Sequence, residues 1–187
     1  MDIAEKPAAP RWVGAKKSEL PAAAPWAFHL YHFVFVPYEF LQPGRLADDQ
    51  LQLHLLLTES PEDSIWHAPT YRFEIQRVGS TERVGRINLR IGDSKLLTHY
   101  TGHIGYTIDE PHRGHHYAEH ACRVLLTFAK RHGLQTVWIT CAPDNLASRR
   151  TLERLGAELI EIVDVPADYP MAEGVVRKKC RYRISAD

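Results

Sequence analysis

One stretch of the sequence, residues 103–127, constrains the fold more than any other. A strand-like run at 104–108 is followed by a turn at Glu110-Pro111 and by a basic, glycine-containing loop at 113–117. Small or apolar residues then recur at the spacing of one helix face: Ala118, Ala121, Cys122, Leu125, Leu126 and Ala129. A strand, loop and helix in this order place a helix N-terminus, with its unpaired N–H groups and positive dipole end, where it suits a phosphate group.

The loop has neither of the two best-known phosphate-binding patterns. The chain contains no G-x-x-x-x-G-K-[ST] and no G-x-G-x-x-G, so nucleotide hydrolysis and nicotinamide binding lose support. Residues 113–118 instead resemble the pyrophosphate loop of the GCN5-related N-acetyltransferases (GNAT), whose pattern is Gln/Arg-x-x-Gly-x-Gly/Ala. Arg113 and Ala118 fit its first and last positions, whereas His116 stands at the usual central glycine and Gly114 lies two residues earlier.

A second segment, residues 142–157, resembles the Asn-x-x-Ser…Glu-x-x-Gly segment of the same family. Asn145, Ser148, Glu153 and Gly156 stand at its four named positions. In that family the segment forms the helix after the fifth strand, and its Asn faces the pantetheine arm of the co-substrate. The two motifs together cover residues 102–157, and the resemblance implies the family's fold and its use of acetyl-CoA.

The fold class implied by the resemblance is α/β, with a GNAT-type mixed, largely antiparallel central sheet, a parallel β-α-β core and flanking helices. We expect residues 1–25, which are rich in Ala and Pro, to form an N-terminal arm. Residues 26–187 are expected to form a single acyltransferase domain. Within them, the aromatic segment 28–40 is predicted to be a strand or a mixed segment of core.

The resemblance also implies which residues hold acetyl-CoA. In the family an amine attacks the thioester directly in a ternary complex, so the protein orients the reactants and steadies the oxyanion. A main-chain N–H of the strand at 104–108 would meet the oxyanion, and backbone groups near its end would pair with the pantetheine. The residues implied in binding are Ile108, Arg113, Gly114, His115, His116, Tyr117, Ala118, Asn145 and Ser148.

The general base is predicted at His103, the position that matches a glutamate in many family members. A neutral imidazole with an ordinary pKa near ~6.5 can accept a proton at pH 7, and Gly105 on the same strand face leaves room for a ligand. The alternative for His103 is a histidine satisfied within a packed sheet. Asp109 and Glu110 are further candidates for the base.

The proton donor for the leaving thiol is not found at its usual place. Family members often carry a tyrosine on the helix after the Asn, and here that position is Leu152. Tyr106, Tyr117 or a water molecule are the alternatives. A thiol with a pKa near ~8.5 leaves readily as a thiolate, so protonation matters less than it does in amide cleavage.

Composition narrows the partners and the compartment. Lys plus Arg equals Asp plus Glu at 23 each, so no overall charge favours nucleic acid or an anionic membrane surface. Three widely separated cysteines without C-x-x-C indicate reduced thiols. Because the N-terminus lacks an apolar leader and no apolar run approaches ~20 residues, we expect a cytoplasmic protein without a membrane span.

Four histidines near the loop raise a metal site as an alternative. They lie at i, i+4 spacings, but zinc needs three or four convergent ligands, and no cysteine or carboxylate cluster in the sequence completes such a set. Protonated imidazoles beside a phosphate are an equally good explanation, and we predict no metal. The histidines are His112, His115, His116 and His120.

We predict an acyl-CoA-dependent N-acyltransferase that transfers acetyl from acetyl-CoA to a primary amine of a small molecule or protein. The alternative is a catalytically silent acyl-CoA-binding or regulatory domain on the same fold, motivated by the departures from the motif at His116 and Leu152. The loop at 166–174 and the segments before the motifs are expected to set the acceptor. An exposed sheet edge at 178–184 would permit a homodimer by strand pairing.

Overall fold

The structure is a computed structural model of the 187-residue chain, and it describes residues 38–166 and 177–186. The predicted arm at 1–25, most of the aromatic segment 28–40 and most of the loop at 166–174 lie outside the described residues. The described residues belong to one compact unit that begins at Tyr38. None of the helices described is long and apolar enough to cross a membrane.

Eight strands form one sheet in the spatial order β1-β2-β3-β4-β5-β6-β8-β7. The pair β5–β6 is parallel, and the other neighbouring pairs are antiparallel. This confirms the predicted mixed, largely antiparallel sheet. The strands are β1 (Leu46–Ala47), β2 (Leu51–Glu59), β3 (Thr70–Arg77), β4 (Arg83–Arg90), β5 (Ile104–Ile108), β6 (Thr136–Cys141), β7 (Glu158–Asp164) and β8 (Lys178–Ser185).

Two α-helices of the described chain connect β5, β6 and β7, and the first of them makes the crossover that the parallel pair requires. Helix α1 (Tyr117–Arg131) joins β5 to β6, and α2 (Leu146–Leu155) joins β6 to β7. Helix α1 ends before Gly133, whose φ of 78° is the left-handed conformation typical of a helix C-terminus. A π-helical segment (Leu96–Thr101) lies between β4 and β5, and a 3-10 turn (Glu110–His112) precedes the loop.

Strand alternation divides the sheet into two faces with different chemistry. Tyr71 and Phe73 of β3 and Ile87 of β4 are buried on the face that α1 covers, where Phe128 packs against both aromatic rings. Burying each such side chain contributes about 1.5–3 kcal/mol. The intervening residues of the same strands point to the opposite face, and several of them are arginines.

The parallel pairing of β5 and β6 contains a single registered pair of residues. Ile104 and Ile139 are the registered partners of this parallel pair. Just before them, Gly102 has a φ of 80°, and a Cβ added there would lie 3.0 Å from the backbone nitrogen of Thr140. Glycine therefore permits both the left-handed turn and the close approach of the two strands. Beyond this level the strands separate and leave a cavity between them.

The C-terminal strands correct two predictions. The predicted exposed edge at 178–184 is wrong, because β8 lies between β6 and β7 and the edge strand is β7. The alternation of residues 178–184 also predicts a solvated strand face with Lys179, Arg181 and Arg183, but Arg181 is only 5% exposed. Its guanidinium lies 4.2 Å from the centre of the Trp138 ring, its Nε donates to the carbonyl of Thr98, and it pairs with Glu161. The π-helical segment covers this face of β8.

Candidate active site

The cavity between β5 and β6 has a volume of about 810 Å³. It is lined by β5, by the loop before α1, and by the start of α2. Of the nine residues that the sequence implicated in acetyl-CoA binding, His115 alone does not line it, and its ring stacks on Tyr117 at 5.4 Å. The structure thus brings eight of them around one cavity: Ile108, Arg113, Gly114, His116, Tyr117, Ala118, Asn145 and Ser148.

Two residues of the loop before α1 have the left-handed backbone conformation. Gly114 has a φ of 86° and His116 a φ of 59°. Histidine is one of the few non-glycine residues enriched in this conformation, so His116 can take the backbone geometry of the family's usual glycine. No side chain in the described part of the chain caps the N-terminus of α1. The Glu119 N–H donates to the carbonyl of His116 at 2.9 Å. The N–H groups of Tyr117 and Ala118 have no backbone acceptor within the described residues, and both residues line the cavity.

Arg113 connects this loop to the end of β5. Its Nε donates to the carbonyl oxygen of Ile108 at 3.2 Å. The contact uses one edge of the guanidinium and leaves the other donors of the group near the cavity mouth. The loop and the strand end are therefore held in one arrangement, with a positive charge close to the uncapped helix.

The sequence predicts that Asp144 or Asn145 caps α2 and that Gly156 ends it, and in the structure the cap is Asn145. Its Oδ1 accepts a hydrogen bond from the backbone N–H of Ser148 at 3.0 Å. Gly156 ends the helix in the left-handed conformation with a φ of 87°. Because the cap uses the amide oxygen, the Asn145 NH₂ group remains as a donor on the cavity wall. One side chain thus both starts the helix and lines the cavity.

A tyrosine hydroxyl meets α2 at the same wall. The Tyr106 and Ser148 hydroxyl oxygens are 2.9 Å apart. Ser148 lies one helical turn before Leu152, which is buried and carries no polar group. Burial raises the pKa of Tyr106 well above its ordinary value, so the phenol is protonated at neutral pH. Of the two tyrosines that the sequence offered as donors, Tyr106 is the one bonded to this helix.

His103 does not have the surroundings of a general base. Its Nδ1 accepts from the N–H of Trp138 at 2.9 Å, and its Nε2 donates to the carbonyl of Gly92 at 2.8 Å. The side chain is 2% exposed and lines neither cavity described here. Burial lowers its pKa, which keeps the ring neutral. Both ring nitrogens are in use, so the geometry matches the alternative reading, a histidine satisfied within a packed sheet.

The remaining candidates for a base or a nucleophile near the cavities are Asp109, Cys141 and Glu110. Asp109 Oδ2 accepts from the Nε of Arg83 at 2.8 Å, which ties this candidate base into an ion pair. Burial raises the pKa of the Cys141 thiol to about 11, so it is protonated at neutral pH and is a poor nucleophile. Glu110 lies in the exposed 3-10 turn.

The four histidines near the loop have separate surroundings. His112 lies 3.5 Å from a carboxylate oxygen of Glu82, whereas His120 Nδ1 lies 2.7 Å from Asp48 Oδ2. Among the residues described, Asp48, Asp49 and His120 form the one group of three whose ligand atoms lie within 4.8 Å of one another. Asp48 already accepts from two backbone N–H groups through its other oxygen.

A second cavity, of about 680 Å³, lies on the sheet face opposite α1. It meets the first where β5 and β6 separate, and six lining residues are common to both: Ile104, Gly105, Tyr106, Thr107, Thr140 and Lys179. Sequence reasoning missed this cavity. The signal that could have found it is the alternation of polar residues at Arg86, Asn88 and Arg90 along β4.

Several solved structures similar to this chain are named as acetyltransferases. One is provisionally assigned as a ribosomal-protein-serine acetyltransferase from Vibrio cholerae, with a TM-score of 0.57 and 16% identity over 78% of this chain and 99% of that chain. Another is RimL, a ribosomal L7/L12 alpha-N-protein acetyltransferase in complex with coenzyme A, with a TM-score of 0.50 and 23% identity over 63% and 64% of the two chains.

A third is the microcin C7 self-immunity acetyltransferase MccE, in complex with acetyl-CoA and AMP, with a TM-score of 0.50 and 19% identity over 62% and 61%. At these identities the structures establish the fold. No curated protein matches the chain in sequence. The model of the acetyltransferase (GNAT) domain family, however, matches residues 38–158. The chain therefore belongs to the GNAT acetyltransferase family, which confirms the resemblance carried by the two motifs.

Proposed function

We propose that this GNAT domain transfers acetyl from acetyl-CoA to a primary amine in a ternary complex. The observation that carries the proposal is the separation of β5 from β6, which joins two cavities on opposite faces of the sheet at Gly105–Thr107. A thioester in one cavity and an amine in the other would meet at β5. We further propose that residues 26–187 form one domain, of which the family match covers 38–158.

The cavity that contains the motif residues has the features that a coenzyme A phosphate chain requires. The uncapped N-terminus of α1 supplies backbone donors and the positive end of a dipole, and Arg113 adds a full charge. The left-handed conformations of Gly114 and His116 set the path of the loop around that point. The Asn145 NH₂ and the β5 backbone near Ile108 supply polar partners for a pantetheine arm along the cavity.

Acetyl-CoA supplies an acyl group already activated as a thioester. The amine nitrogen forms a bond to the carbonyl carbon, the carbon–sulfur bond breaks, and the sulfur leaves with the electron pair as a thiolate. The proton lost by the nitrogen passes to solvent, the thiolate takes up a proton from solvent, and the products are an amide and the free thiol. The chain's tasks are to hold both partners at attack distance and to direct N–H groups of β5 toward the oxyanion.

Tyr106 is proposed to donate a hydrogen bond to the leaving sulfur. Its raised pKa places it far above the ~8.5 of a thiol, so complete proton transfer to the thiolate would be uphill. A protonated phenol can nevertheless stabilise the developing negative charge by donating a hydrogen bond. Ser148, 2.9 Å away, orients the hydroxyl. The hydroxyl therefore stands near α2, where the family more often uses a tyrosine on the helix itself.

The reaction does not require a strong base within the described residues. An α-amino group has an ordinary pKa of about 7.7–8.0, so a useful fraction is neutral at pH 7. Neighbouring cations in the second cavity disfavour the ammonium form further. His103 is assigned a positioning role, since its imidazole links the loop after β4 to β6.

The acceptor is proposed to be the amino terminus of a protein or peptide. Two proteins with the same fold carry names that specify ribosomal-protein acetylation, and one of these names specifies the alpha-amino group. The test is release of free thiol from acetyl-CoA with a panel of N-terminal peptides, followed by mass spectrometry of the products. Acetylation of a peptide amine supports the proposal. Tight acetyl-CoA binding without amine-dependent thiol release would instead indicate a catalytically silent domain.

A further inference from the structure

The second cavity is strongly basic. Its charged lining residues are four arginines and one lysine against a single carboxylate: Arg72, Arg83, Arg86, Arg90, Lys179 and Asp109. The whole chain has equal numbers of basic and acidic residues. This concentration of positive charge is therefore a local property of one sheet face, and it surrounds the opening where an acceptor amine would enter.

Only part of this positive charge is neutralised within the protein. Asp109 pairs with Arg83 at 2.8 Å, and Glu59, from outside the cavity, pairs with Arg72 at 3.0 Å. Arg86 and Lys179 have no ion pair with any residue in the described ranges. Arg86 is exposed, whereas Lys179 is half-buried, and burial lowers the pKa of its ammonium. A half-buried cation of this kind is stabilised by an external anion.

These two cations lie close to the site of attack. Arg86 is the registered partner of Thr107, and Lys179 lines both cavities. Gly105 has no side chain, and this lets the side chains of Asn88 and Arg90 lie against β5. A Cβ added to Gly105 would be 3.1 Å from Asn88 Oδ1 and 3.4 Å from Arg90 Nη1. Anionic groups bound to this face would therefore hold an attached amine beside the opening.

The spread of the cations indicates the size of the acceptor. They extend from β3 to β8, which are four strand positions apart in the sheet order. Neighbouring strands lie about 4.8 Å apart, so the basic face spans on the order of 19 Å. An extended chain of five or six residues, at about 3.3 Å each, covers that distance. A small amine with one acidic group would reach only one end of it.

We propose that the acceptor is an acidic peptide amino terminus, in which several Asp, Glu or phosphorylated residues follow the reacting amine. This inference rests on the function proposed above and specifies its second substrate. The acidic side chains would pair with Arg86, Lys179 and their neighbours and would fix the register of the peptide. The free amine, placed among cations at the opening, would be held in its neutral, nucleophilic form.

The test compares three acceptors with wild-type enzyme at saturating acetyl-CoA. They are a hexapeptide Ser-Glu-Glu-Asp-Glu-Ala, its uncharged analogue Ser-Gln-Gln-Asn-Gln-Ala, and O-phosphoethanolamine as a small anionic amine. We expect kcat/KM for the acidic peptide to exceed that for either of the others by at least about tenfold. The advantage should shrink as salt rises from about 50 to 500 mM, because counterions screen the face.

Charge reversal at one position shows whether the face itself is responsible. Arg86→Glu should lower kcat/KM for the acidic peptide by at least about tenfold more than it lowers kcat/KM for the uncharged analogue. Arg45→Glu is the matched control, because Arg45 is exposed and lines neither cavity. It should leave both values unchanged.

The outcomes separate this inference from the function on which it rests. Equal acetylation of acidic and uncharged peptides, or an Arg86→Glu enzyme with unchanged preference, would overturn the acidic acceptor while leaving the acetyltransferase proposal in place. A higher kcat/KM for O-phosphoethanolamine than for the acidic peptide would show that the acceptor is a small anionic amine and not a peptide. If no amine is acetylated and acetyl-CoA does not bind, the proposed function itself fails.

Discussion

His103 Nδ1 accepts a hydrogen bond from the backbone N–H of Trp138 at 2.9 Å, across the junction of β5 and β6. The opposite nitrogen donates to Gly92, so the ring connects β6 to the loop that follows β4. His103 lies immediately before Ile104, the one β5 residue registered with β6. The imidazole therefore reinforces the point from which the two strands separate.

The first prediction concerns this positioning role. His103→Leu leaves a backbone N–H and a carbonyl unpaired in the sheet, so the free energy of unfolding should fall by about 2 kcal/mol or more. Urea denaturation measures the loss, and His54→Leu, at an exposed strand position, is the control. The acid limb of the kcat/KM pH profile should persist in the folded His103→Leu enzyme. Its disappearance would show that His103 is the base after all.

The second prediction concerns the leaving sulfur. Tyr106→Phe removes the hydroxyl beside Ser148 and should lower kcat by about tenfold to a hundredfold, the value of one hydrogen bond to a charged group. The KM for acetyl-CoA should change little. Tyr117→Phe, the other tyrosine on the same cavity, is the matched comparison and should retain most of kcat. An equal loss in both variants, or none in Tyr106→Phe, argues against the assigned donor.

The third prediction concerns acid stability and His132. The centre of the His132 ring lies 4.7 Å from that of Phe128, and the Tyr38 hydroxyl oxygen lies 3.1 Å from His132 Nδ1. Burial in these surroundings lowers the pKa of His132 to about 4. A histidine whose folded pKa lies below the unfolded value of ~6.5 stabilises the fold above pH 6.5 and loses that contribution as pH falls toward 4. Because His132 is half-buried, solvent screening should limit the loss between pH 7 and 5 to about 1 kcal/mol.

Chemical denaturation at pH 7 and pH 5 measures this loss. His132→Phe should make the free energy of unfolding less dependent on pH over that interval, whatever its effect at pH 7. His103, whose pKa is also lowered by burial, contributes in the same direction and leaves a residual slope in the variant. A slope as steep in His132→Phe as in the wild type would contradict the burial of a neutral ring at position 132.

Local sequence patterns predicted much of the fold and of the cofactor site. The strand at 104–108, the helix cap at Asn145 and the end of α2 at Gly156 each depend on a few neighbouring residues, and each was confirmed. The fold of the whole sheet and the family followed from the two motifs. The apolar run at 136–141 does not alternate, which predicts a buried strand in a parallel pair, and β6 pairs in parallel with β5.

The features that the sequence did not predict depend on contacts between residues far apart in the chain. The hydrogen-bond partner of His103 on β6 is 35 residues away, so its role depends on tertiary structure. The exposed edge expected at 178–184 was wrong because strand order across β6, β8 and β7 leaves no local signature. The basic lining of the second cavity could not be predicted from the sequence for the same reason, since its cations come from three separate strands, β3, β4 and β8.

Calorimetric titration with acetyl-CoA tests whether the loop before α1 holds the phosphates of acetyl-CoA. Gly114→Val should raise Kd by at least about tenfold, because a β-branched residue cannot hold the φ of 86° that directs the loop. Gly79→Val is the matched control: Gly79 has a φ of 75° and open space around it, but lies in the β3–β4 turn away from the cavity.

His116→Gly restores the glycine usual in the family and should bind acetyl-CoA at least as well as the wild type does. We predict binding by the wild type, Gly79→Val and His116→Gly, and a marked loss confined to Gly114→Val. Absence of binding in the wild type, or equal losses in the two valine variants, would contradict the assignment of this loop as the acetyl-CoA phosphate site.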